Sequence, residues 1–248
     1  MKFTILGSGT STGVPMVGCS CPVCLSTDPR DKRTRSSLLV RHNGYNILVD
    51  TSSDLRSQAL REELKRIDAV LFTHSHADHV NGIDDMRGFH FLHRQVVPCY
   101  ASAPTLEVIR RSFYYIFDDG VPSYPPIMKA NTIEGPFELF GTTVIPVPLE
   151  HGNTPSLGFR FGNLAYLTDC SAIPASSLAL LEDLDILIID GLRWSAHPFH
   201  FNIEGAITAA QQVNARRNIL THLSHEVFYA DQAKLPQGFE FAYDGMEL

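Results

Sequence analysis

Four side chains of the metal-binding type follow one apolar run of the chain. The run Ala69–Phe72 leads into the pattern H-x-H-x-D-H, formed by His74, His76, Asp78 and His79. A strand that ends in a loop projects successive side chains around a turn, so these four can converge on one volume. Imidazole suits borderline divalent ions, and a carboxylate adds a harder oxygen ligand. The pattern therefore predicts a metal centre, of the kind that activates water for hydrolysis.

A second group of metal-binding side chains stands near the beginning of the chain. Cys19, Cys21 and Cys24 lie within a loop at residues 18–24. A reduced cluster this tight is poorly suited to internal disulfides but well suited to a closed, tetrahedral zinc site. The fourth ligand must come from elsewhere, and His225, three residues after His222, is the candidate. The alternative is one oxidised cysteine pair with a spare thiol.

The H-x-H-x-D-H spacing resembles that of the metallo-β-lactamase superfamily. Further candidate ligands follow three apolar runs in the order that this family uses, at His151, Asp169 and His222. The resemblance implies an αββα sandwich with two metal ions at the edge between its sheets. One ion would be held by His74, His76 and His151, and the other by Asp78, His79 and His222, with Asp169 bridging them. Asp78 is a candidate catalytic residue as well, and Asp50 would orient the ligands from behind.

Two ions about 3.5–4 Å apart can share a water molecule, lower its pKa to form hydroxide at neutral pH, and clamp an in-line displacement. Such a centre hydrolyses esters and phosphodiesters without a serine or cysteine nucleophile.

The cysteine loop narrows the resemblance to the PhnP-type phosphodiesterases. An early G-x-G loop, V-P-x-x-G-C-x-C-x-x-C, R-x-x-R-T-R-S-S and H-x-H-x-D-H occur in that order between Lys2 and Val227. The resemblance implies hydrolysis of 5-phosphoribosyl 1,2-cyclic phosphate to ribose 1,5-bisphosphate in phosphonate catabolism. It also implies two catalytic divalent ions, manganese or zinc, one structural zinc, and a homodimer as an expected partner state.

The same family places a functional histidine in the late loop, where His200 stands. It would protonate the leaving alkoxide, and a positioned imidazole can do this near neutral pH. His197 is the nearby rival for that role. The other reading of His200 is a surface histidine ahead of a helix capped by Asn202. His42, His90 and His93 are interpreted as structural or solvated.

Charge limits the partners that the chain can bind. It has 248 residues, 20 basic against 27 acidic, and a formal net charge of -7. No global positive field exists to hold a nucleic acid, so a small-molecule cyclic phosphodiester is the expected partner. The rivals are a tRNA 3′-processing endonuclease and a non-catalytic metal-binding protein of the same fold. The basic run Arg30–Arg35 could contact substrate phosphate or form a solvated ion-pair network.

The first residues lack the apolar core of a signal peptide, and no apolar run is long enough to span a membrane. We therefore expect a cytoplasmic protein with no membrane partner. Turn-bounded apolar runs predict ten strands and four helices in one α/β (α+β) domain over residues 1–248. The loop-rich stretch 118–135 is predicted to be an insertion or flap. The strands are predicted at Phe3–Leu6, Ser37–Arg41, Tyr45–Val49, Ala69–Phe72, Val96–Tyr100, Thr142–Val147, Leu157–Phe161, Leu164–Leu167, Ile186–Ile189 and Asn218–Leu220, and the helices at Asp54–Arg66, Pro104–Ser112, Pro174–Leu181 and Ile203–Ala215.

Overall fold

Two seven-stranded sheets form the centre of the molecule in a computed structural model that describes residues 1–117 and 125–248. Their orders are β14-β1-β2-β3-β4-β5-β6 and β13-β12-β11-β10-β9-β8-β7. The strands are β1 Lys2–Gly7, β2 Ser37–His42, β3 Tyr45–Val49, β4 Ala69–Leu71, β5 Val97–Ala101, β6 Met128–Thr132, β7 Phe137–Leu139, β8 Thr142–Leu149, β9 Ser156–Phe161, β10 Leu164–Leu167, β11 Ile186–Asp190, β12 Arg217–Thr221, β13 Phe239–Phe241 and β14 Met246–Glu247.

Each sheet has an antiparallel half and a parallel half. In the first sheet β1, β2 and β3 pair antiparallel, and β3 to β6 pair parallel. In the second sheet β7 to β10 pair antiparallel, and β10 to β13 pair parallel. Because parallel strands end at the same edge of a sheet, each sheet gathers several strand ends, and the loops after them, on one side.

Helices cover the outer faces of both sheets and give the sandwich four layers. The helices are α1 Pro22–Leu25, α2 Leu55–Arg61, α3 Ala77–Val80, α4 Met86–His93, α5 Ala103–Ser112, α6 Tyr114–Phe117, α7 Ala175–Leu178 and α8 Ile203–Val213. Short 3-10 turns occupy Pro29–Asp31, Asn81–Asp85, Ala179–Leu181 and Tyr229–Lys234. The predicted αββα sandwich is confirmed.

Three apolar clusters hold these layers together. One lies between the sheets, where Val49 of the first sheet and Phe159 of the second are fully buried. A second packs α2, α4 and α5 on the first sheet, with Leu55 and Ile109 at its centre. A third packs α8 on the second sheet. Each Å² of apolar surface buried in these clusters contributes about 25 cal/mol to stability, and the cysteines are free thiols rather than disulfides. No helix of the described residues is long and apolar enough to cross a bilayer.

The helix predicted at Asp54–Arg66 is shorter than expected. It ends at Arg61, and Glu63 takes a left-handed backbone conformation with φ of 49°. The amide of Leu64 then donates to the carbonyl of Ala59 instead of continuing the helix. The spacing of Leu60, Leu64 and Ile67 predicts one apolar stripe along this helix. That prediction is wrong at Leu60, which is 64% exposed.

The stretch 118–135 is not wholly a loop. Residues 118–124 lie outside the described part, so that portion of the predicted flap stays a prediction. Met128–Thr132, however, forms β6 and pairs parallel with β5 at the edge of the first sheet. Strands β7, β13 and β14 were also not expected from the sequence, because each has only two or three residues and little alternation to detect.

Candidate metal centre

The H-x-H-x-D-H segment crosses from strand β4 into the short helix α3. His76 is the extended residue that precedes this helix, and Asp78 and His79 lie within its single turn. His74 and His79 are fully buried, whereas His76 is exposed. The expected loop is therefore a strand end joined to one helical turn, which directs these side chains toward one volume.

Asp169, which follows β10, lies at the centre of the candidate ligands. Its Oδ1 is 3.3 Å from His79 Nε2 and 3.2 Å from His222 Nδ1. Its Oδ2 is 3.6 Å from His74 Nε2 and 3.8 Å from His151 Nε2. Each oxygen thus faces a different pair of histidines, which is the geometry of a bridging carboxylate.

The structure brings the seven predicted ligands together in two sets that share Asp169. Within each set, one ligand atom from every residue lies within 4.8 Å of the others. The sets are His74, His76, His151 and Asp169, and Asp78, His79, Asp169 and His222. They agree with the division that the family resemblance implies.

The donor atoms fit metal ions because several are buried without a hydrogen-bond partner. His74 Nε2, His79 Nε2 and Asp78 Oδ2 are in this condition. Burying a polar atom without a partner costs free energy, so such atoms require an explanation. The opposite nitrogens are engaged: His79 Nδ1 lies 2.7 Å from Asp50 Oδ2, and His151 Nδ1 donates to the carbonyl of Phe199 at 2.8 Å. This pattern fixes the tautomers and points the free nitrogens inward, as divalent metal ligation requires.

Electrostatics keep the carboxylates of this centre ionised. Although burial acts to raise the pKa of Asp169, the charges of His222 and His79 hold it well below its usual value. Burial also acts to raise the pKa of Asp78, but the charge and hydrogen bond of His79 outweigh that effect and lower it. Burial lowers the pKa of His222 to about 4. The pKa of His79 moves the other way, because the charges of Asp169, Asp78 and Asp50 outweigh its burial and raise it. The centre thus offers anionic carboxylates beside a His222 imidazole that favours its neutral, ligating form.

Asp50, at the end of β3, holds the ligand loop from behind. Its Oδ1 accepts from the Thr73 amide at 2.8 Å, and its Oδ2 accepts from the Thr73 hydroxyl at 2.8 Å. With the contact to His79, these bonds fix both the strand end and a ligand ring. The side chain is fully buried. It occupies the orienting position that the resemblance implies.

His200 lies beside the centre and is held by a residue that the sequence analysis missed. Its Nδ1 donates to Oδ2 of the buried Asp190 at 2.7 Å, and its ring stacks on that of His222 at 4.9 Å between centroids. Burial opposes protonation, but the hydrogen bond and charge of Asp190 raise the pKa of His200. Asp190 ends β11, just as Asp50 and Asp169 follow their strands, and that placement could have revealed it.

His197, the rival of His200, lies farther out on the same loop. Its ring centroid is 5.0 Å from that of His200, and its Nδ1 accepts from the Phe199 amide at 3.3 Å. Burial and the neighbouring His200 lower its pKa. Of the two rings, His200 is the one that contacts the candidate ligands His151 and His222.

The cysteine cluster forms beside this centre. Nδ1 of His225 lies 3.3, 3.5 and 3.7 Å from the sulfurs of Cys19, Cys21 and Cys24. Tetrahedral zinc with ordinary bond lengths separates its sulfur and nitrogen ligands by about 3.5 Å. All five cysteines are free thiols. The amide of Cys24 donates to Cys21 and helps lower that thiol's pKa to about 6. The four residues therefore fit a closed zinc site.

The basic run Arg30–Arg35 is engaged in ion pairs. Arg30 binds Asp28 and Arg35 binds Asp54, both partly exposed. Arg33 is buried, pairs with Asp31, and donates to the carbonyls of Ser224 and Val227 at 3.2 and 2.8 Å. These contacts favour the ion-pair interpretation of the run over direct contact with substrate phosphate.

Comparisons with known proteins agree with this geometry. Residues 45–223 match the Beta-lactamase superfamily domain. A protein named octanoyltransferase from Porphyromonas gingivalis is 41% identical over the whole chain, which spans only 51% of that protein. Coenzyme PQQ synthesis protein B from Methylobacterium nodulans is 28% identical over 100% of this chain and 99% of its own length.

Solved structures share the fold over the whole chain. A crystal structure described as a new diphosphatase from the PhnP family superposes with a TM-score of 0.93 at 42% identity, covering 100% of this chain and 96% of the other. Human tRNase Z, short form, superposes with a TM-score of 0.73 at 20% identity, covering 100% and 98%. At that identity the second likeness concerns the fold alone.

Proposed function

This chain belongs to the Beta-lactamase superfamily, and on that premise we propose that it is a metal-dependent phosphodiesterase acting on a small cyclic phosphodiester. The candidate substrate is 5-phosphoribosyl 1,2-cyclic phosphate, hydrolysed to ribose 1,5-bisphosphate. The observation that carries the proposal is Asp169, whose two oxygens each face a different pair of histidines. The 42% identical structure described as a PhnP-family diphosphatase supports chemistry at a phosphoryl group.

The two ligand sets would hold two divalent ions, manganese or zinc. The chemistry that such ions supply is activation of water at neutral pH and stabilisation of the charge that develops on the phosphoryl group. The protein's part is to fix the donors. Asp50 holds the His79 ring, and the Phe199 carbonyl holds that of His151, so the ligating nitrogens cannot rotate away.

His200 is the proposed proton donor. Its Nδ1 is held by Asp190, which leaves Nε2 as the nitrogen free to give a proton. When the ring phosphodiester opens, water oxygen bonds to phosphorus, one phosphorus–oxygen bond breaks, and the departing sugar alkoxide takes the proton from Nε2. A general acid of this kind contributes about 10²–10⁴-fold in rate.

The cysteine cluster is proposed to hold a third ion, a structural zinc. Its four ligands form a complete tetrahedral set, which leaves no position for substrate. It therefore supports the fold of the 18–24 loop and of the segment around His225 and takes no part in the chemistry. A cytoplasmic location, a homodimer and the absence of a membrane partner remain part of the proposal.

A tRNA-processing endonuclease and a non-catalytic metal-binding protein are the competing functions. The net charge of -7 disfavours a polyanion as large as tRNA. Against loss of catalysis stands the pair of His200 and Asp190, which a storage or structural metal site does not require. The name octanoyltransferase belongs to a protein about twice as long as this chain, so acyl transfer has no specific observation in its favour here.

The deciding experiment compares turnover of three substrates by the manganese-loaded protein: 5-phosphoribosyl 1,2-cyclic phosphate, a 2′,3′-cyclic nucleotide and precursor tRNA. We expect multiple turnovers on the small cyclic phosphodiesters and none on tRNA. Elemental analysis of the same preparation should find three divalent ions per chain. Turnover of tRNA alone, or binding of the cyclic substrates without turnover, would contradict the proposal.

A further inference from the structure

His76 is the least protected of the candidate ligands. It is exposed, whereas His74, His151 and Asp169 of the same set are buried, as are all four members of the other set. His76 also stands before helix α3 rather than within its turn, with extended backbone angles of φ -66° and ψ 150°. Neither burial nor a helix therefore fixes the ring of His76, although a ligand ring has to be held to face its ion.

One nitrogen of the His76 ring faces the other ligands of its set. Its Nδ1 lies 3.2 Å from Nε2 of His151, and that Nε2 lies 3.8 Å from Oδ2 of Asp169. Two nitrogens that ligate one ion in tetrahedral geometry, with bonds of about 2.1 Å, are about 3.4 Å apart. Nδ1 is therefore the nitrogen of His76 that suits ligation, and Nε2 is the outer nitrogen that a second contact can hold.

That second contact comes from Thr154. Its Oγ1 lies 3.2 Å from Nε2 of His76. A hydroxyl can accept as well as donate, so it can accept a hydrogen bond from the proton that Nε2 carries when Nδ1 ligates an ion. The carbonyl of Phe199 does the same for the outer nitrogen of His151. Thr154 thus supplies, at the rim, the outer contact that the exposed His76 ring needs.

The turn that carries Thr154 also carries His151. The amide of Thr154 donates to the carbonyl of His151 at 3.0 Å, and Gly152 between them has a left-handed φ of 55°. Glycine adopts this conformation at little cost, whereas other residues are strained there. One closed turn therefore supplies one ligand of this set and holds the ring of another, His76.

The two ligand sets differ in charge as well as in exposure. The buried set has two carboxylates, Asp78 and the shared Asp169, whereas the set with His76 has Asp169 alone. More anionic ligands in a more rigid site hold a divalent cation more tightly. We therefore expect the buried set to fill first and the set with His76 to fill second.

We propose that Thr154 is a positioning residue that sets the affinity of the second ion to bind, the one held by the set with His76. The inference rests on the two-ion centre of the proposed function and adds an order of loading and the residue that controls it. Thr154 thereby sets the metal concentration at which the centre becomes complete. Because water can reach the exposed His76 ring and partly replace a missing hydroxyl, the expected effect is about tenfold, at the low end for residues that hold ligands.

The test titrates Mn²⁺ into protein that keeps zinc in its cysteine cluster. Electron paramagnetic resonance follows binding, since it distinguishes free Mn²⁺, single bound ions and coupled pairs. Thr154→Val keeps the branched shape without the hydroxyl, so its second binding step should weaken about tenfold and its coupled-pair signal should appear at higher Mn²⁺. Its first step should be unaltered. Thr154→Ser retains the hydroxyl and should restore the second step, and Asn153→Ala, in the same turn, is the control that should alter neither step.

The melting temperature of the same protein without Mn²⁺ provides a second readout, and it should be equal in wild type and Thr154→Val. A lower melting temperature in that variant, equal weakening of both steps, an unaltered second step, or a loss that Thr154→Ser does not restore would overturn the inference. Wild-type protein that binds two Mn²⁺ ions, with the expected effects of the variants, but hydrolyses no cyclic phosphodiester would leave the inference intact and refute the proposed function. Wild-type protein that binds fewer than two would refute both.

Discussion

The two metal-binding regions of this molecule are built in opposite ways. The cysteine cluster takes three of its four ligands from one short loop, and only His225 comes from far along the chain. The centre around Asp169 takes its ligands from the ends of four strands in both sheets. The first region is largely determined by local sequence, whereas the second exists only when the whole sandwich has formed.

The two regions meet in the segment from His222 to His225. His222 belongs to the Asp169 centre and His225 to the cysteine cluster. Between and after them, the carbonyls of Ser224 and Val227 accept hydrogen bonds from the buried Arg33. The two regions therefore share this backbone segment, which Arg33 holds in place, but they share no ligand. Changes in the Asp169 centre should lower activity, whereas changes in the cysteine cluster should mainly lower stability.

Asp169→Asn should have the largest effect on activity. The amide keeps the shape of the side chain but removes the charge that four histidines face, so both ligand sets lose a member. Loss of a residue behind a ligand costs about 10–100-fold, and loss of the bridging ligand should exceed that. Activity and elemental analysis on the same sample would test it. Full activity, or retention of both ions in that sample, would show that Asp169 is not the bridge.

His200→Ala should have the next largest effect, and its size should depend on the substrate. Removal of a general acid slows the reaction by about 10²–10⁴-fold when the leaving group is a sugar alkoxide. An activated aryl phosphodiester needs no proton and should be slowed much less. His197→Ala is the matched control on the same loop and should not discriminate between the substrates. Equal slowing of both substrates in His200→Ala would remove the assigned role.

Asp50→Asn tests whether the centre depends on residues behind the ligands. The amide can no longer accept from both His79 and Thr73 as the carboxylate does, so metal affinity or activity should fall about 10–100-fold. Asp68→Asn is the control, because Asp68 is a buried carboxylate that precedes β4, the strand that leads into the ligand segment, and pairs with Arg66. It should cost stability while leaving the metal content unchanged. A comparable loss of metal in both variants would mean that Asp50 acts only on the fold.

Much of this site could be predicted from the sequence because most of its residues follow the ends of apolar strands. Apolar runs are easy to detect, and the polar residue that follows each run, such as Asp169 or His222, is then placed at a sheet edge. The sequence analysis misses Asp190 because the predicted strand ends at Ile189, one residue before the end of β11, and because no spacing motif includes it.

The missed features of the fold have a different physical origin. Leu60 has the helical spacing of a core residue, but it stays exposed in a helix that stops at Arg61. Leu64 and Ile67, which follow the helix, do pack in the apolar cluster on the first sheet. Strand β6 is polar and lies at a sheet edge, where pairing with β5 rather than its own pattern makes it a strand. Such features depend on partners that are distant in the chain, and composition alone does not reveal them.

Cys21→Ser should have the smallest effect on the chemistry and the clearest effect on stability. Its sulfur lies 3.5 Å from His225 Nδ1 in a cluster that shares no ligand with the Asp169 centre. We expect one zinc to be lost and about 3 kcal/mol of stability with it, which lowers the melting temperature by about 6–12 °C. Below that temperature kcat should stay within about threefold of wild type, since the ions of the other centre remain. Ser20→Ala, in the same loop, should change neither zinc content nor melting temperature. A variant that keeps its zinc and its melting temperature would disprove the structural site, and one that loses all activity in the cold would show that the two regions are not separable.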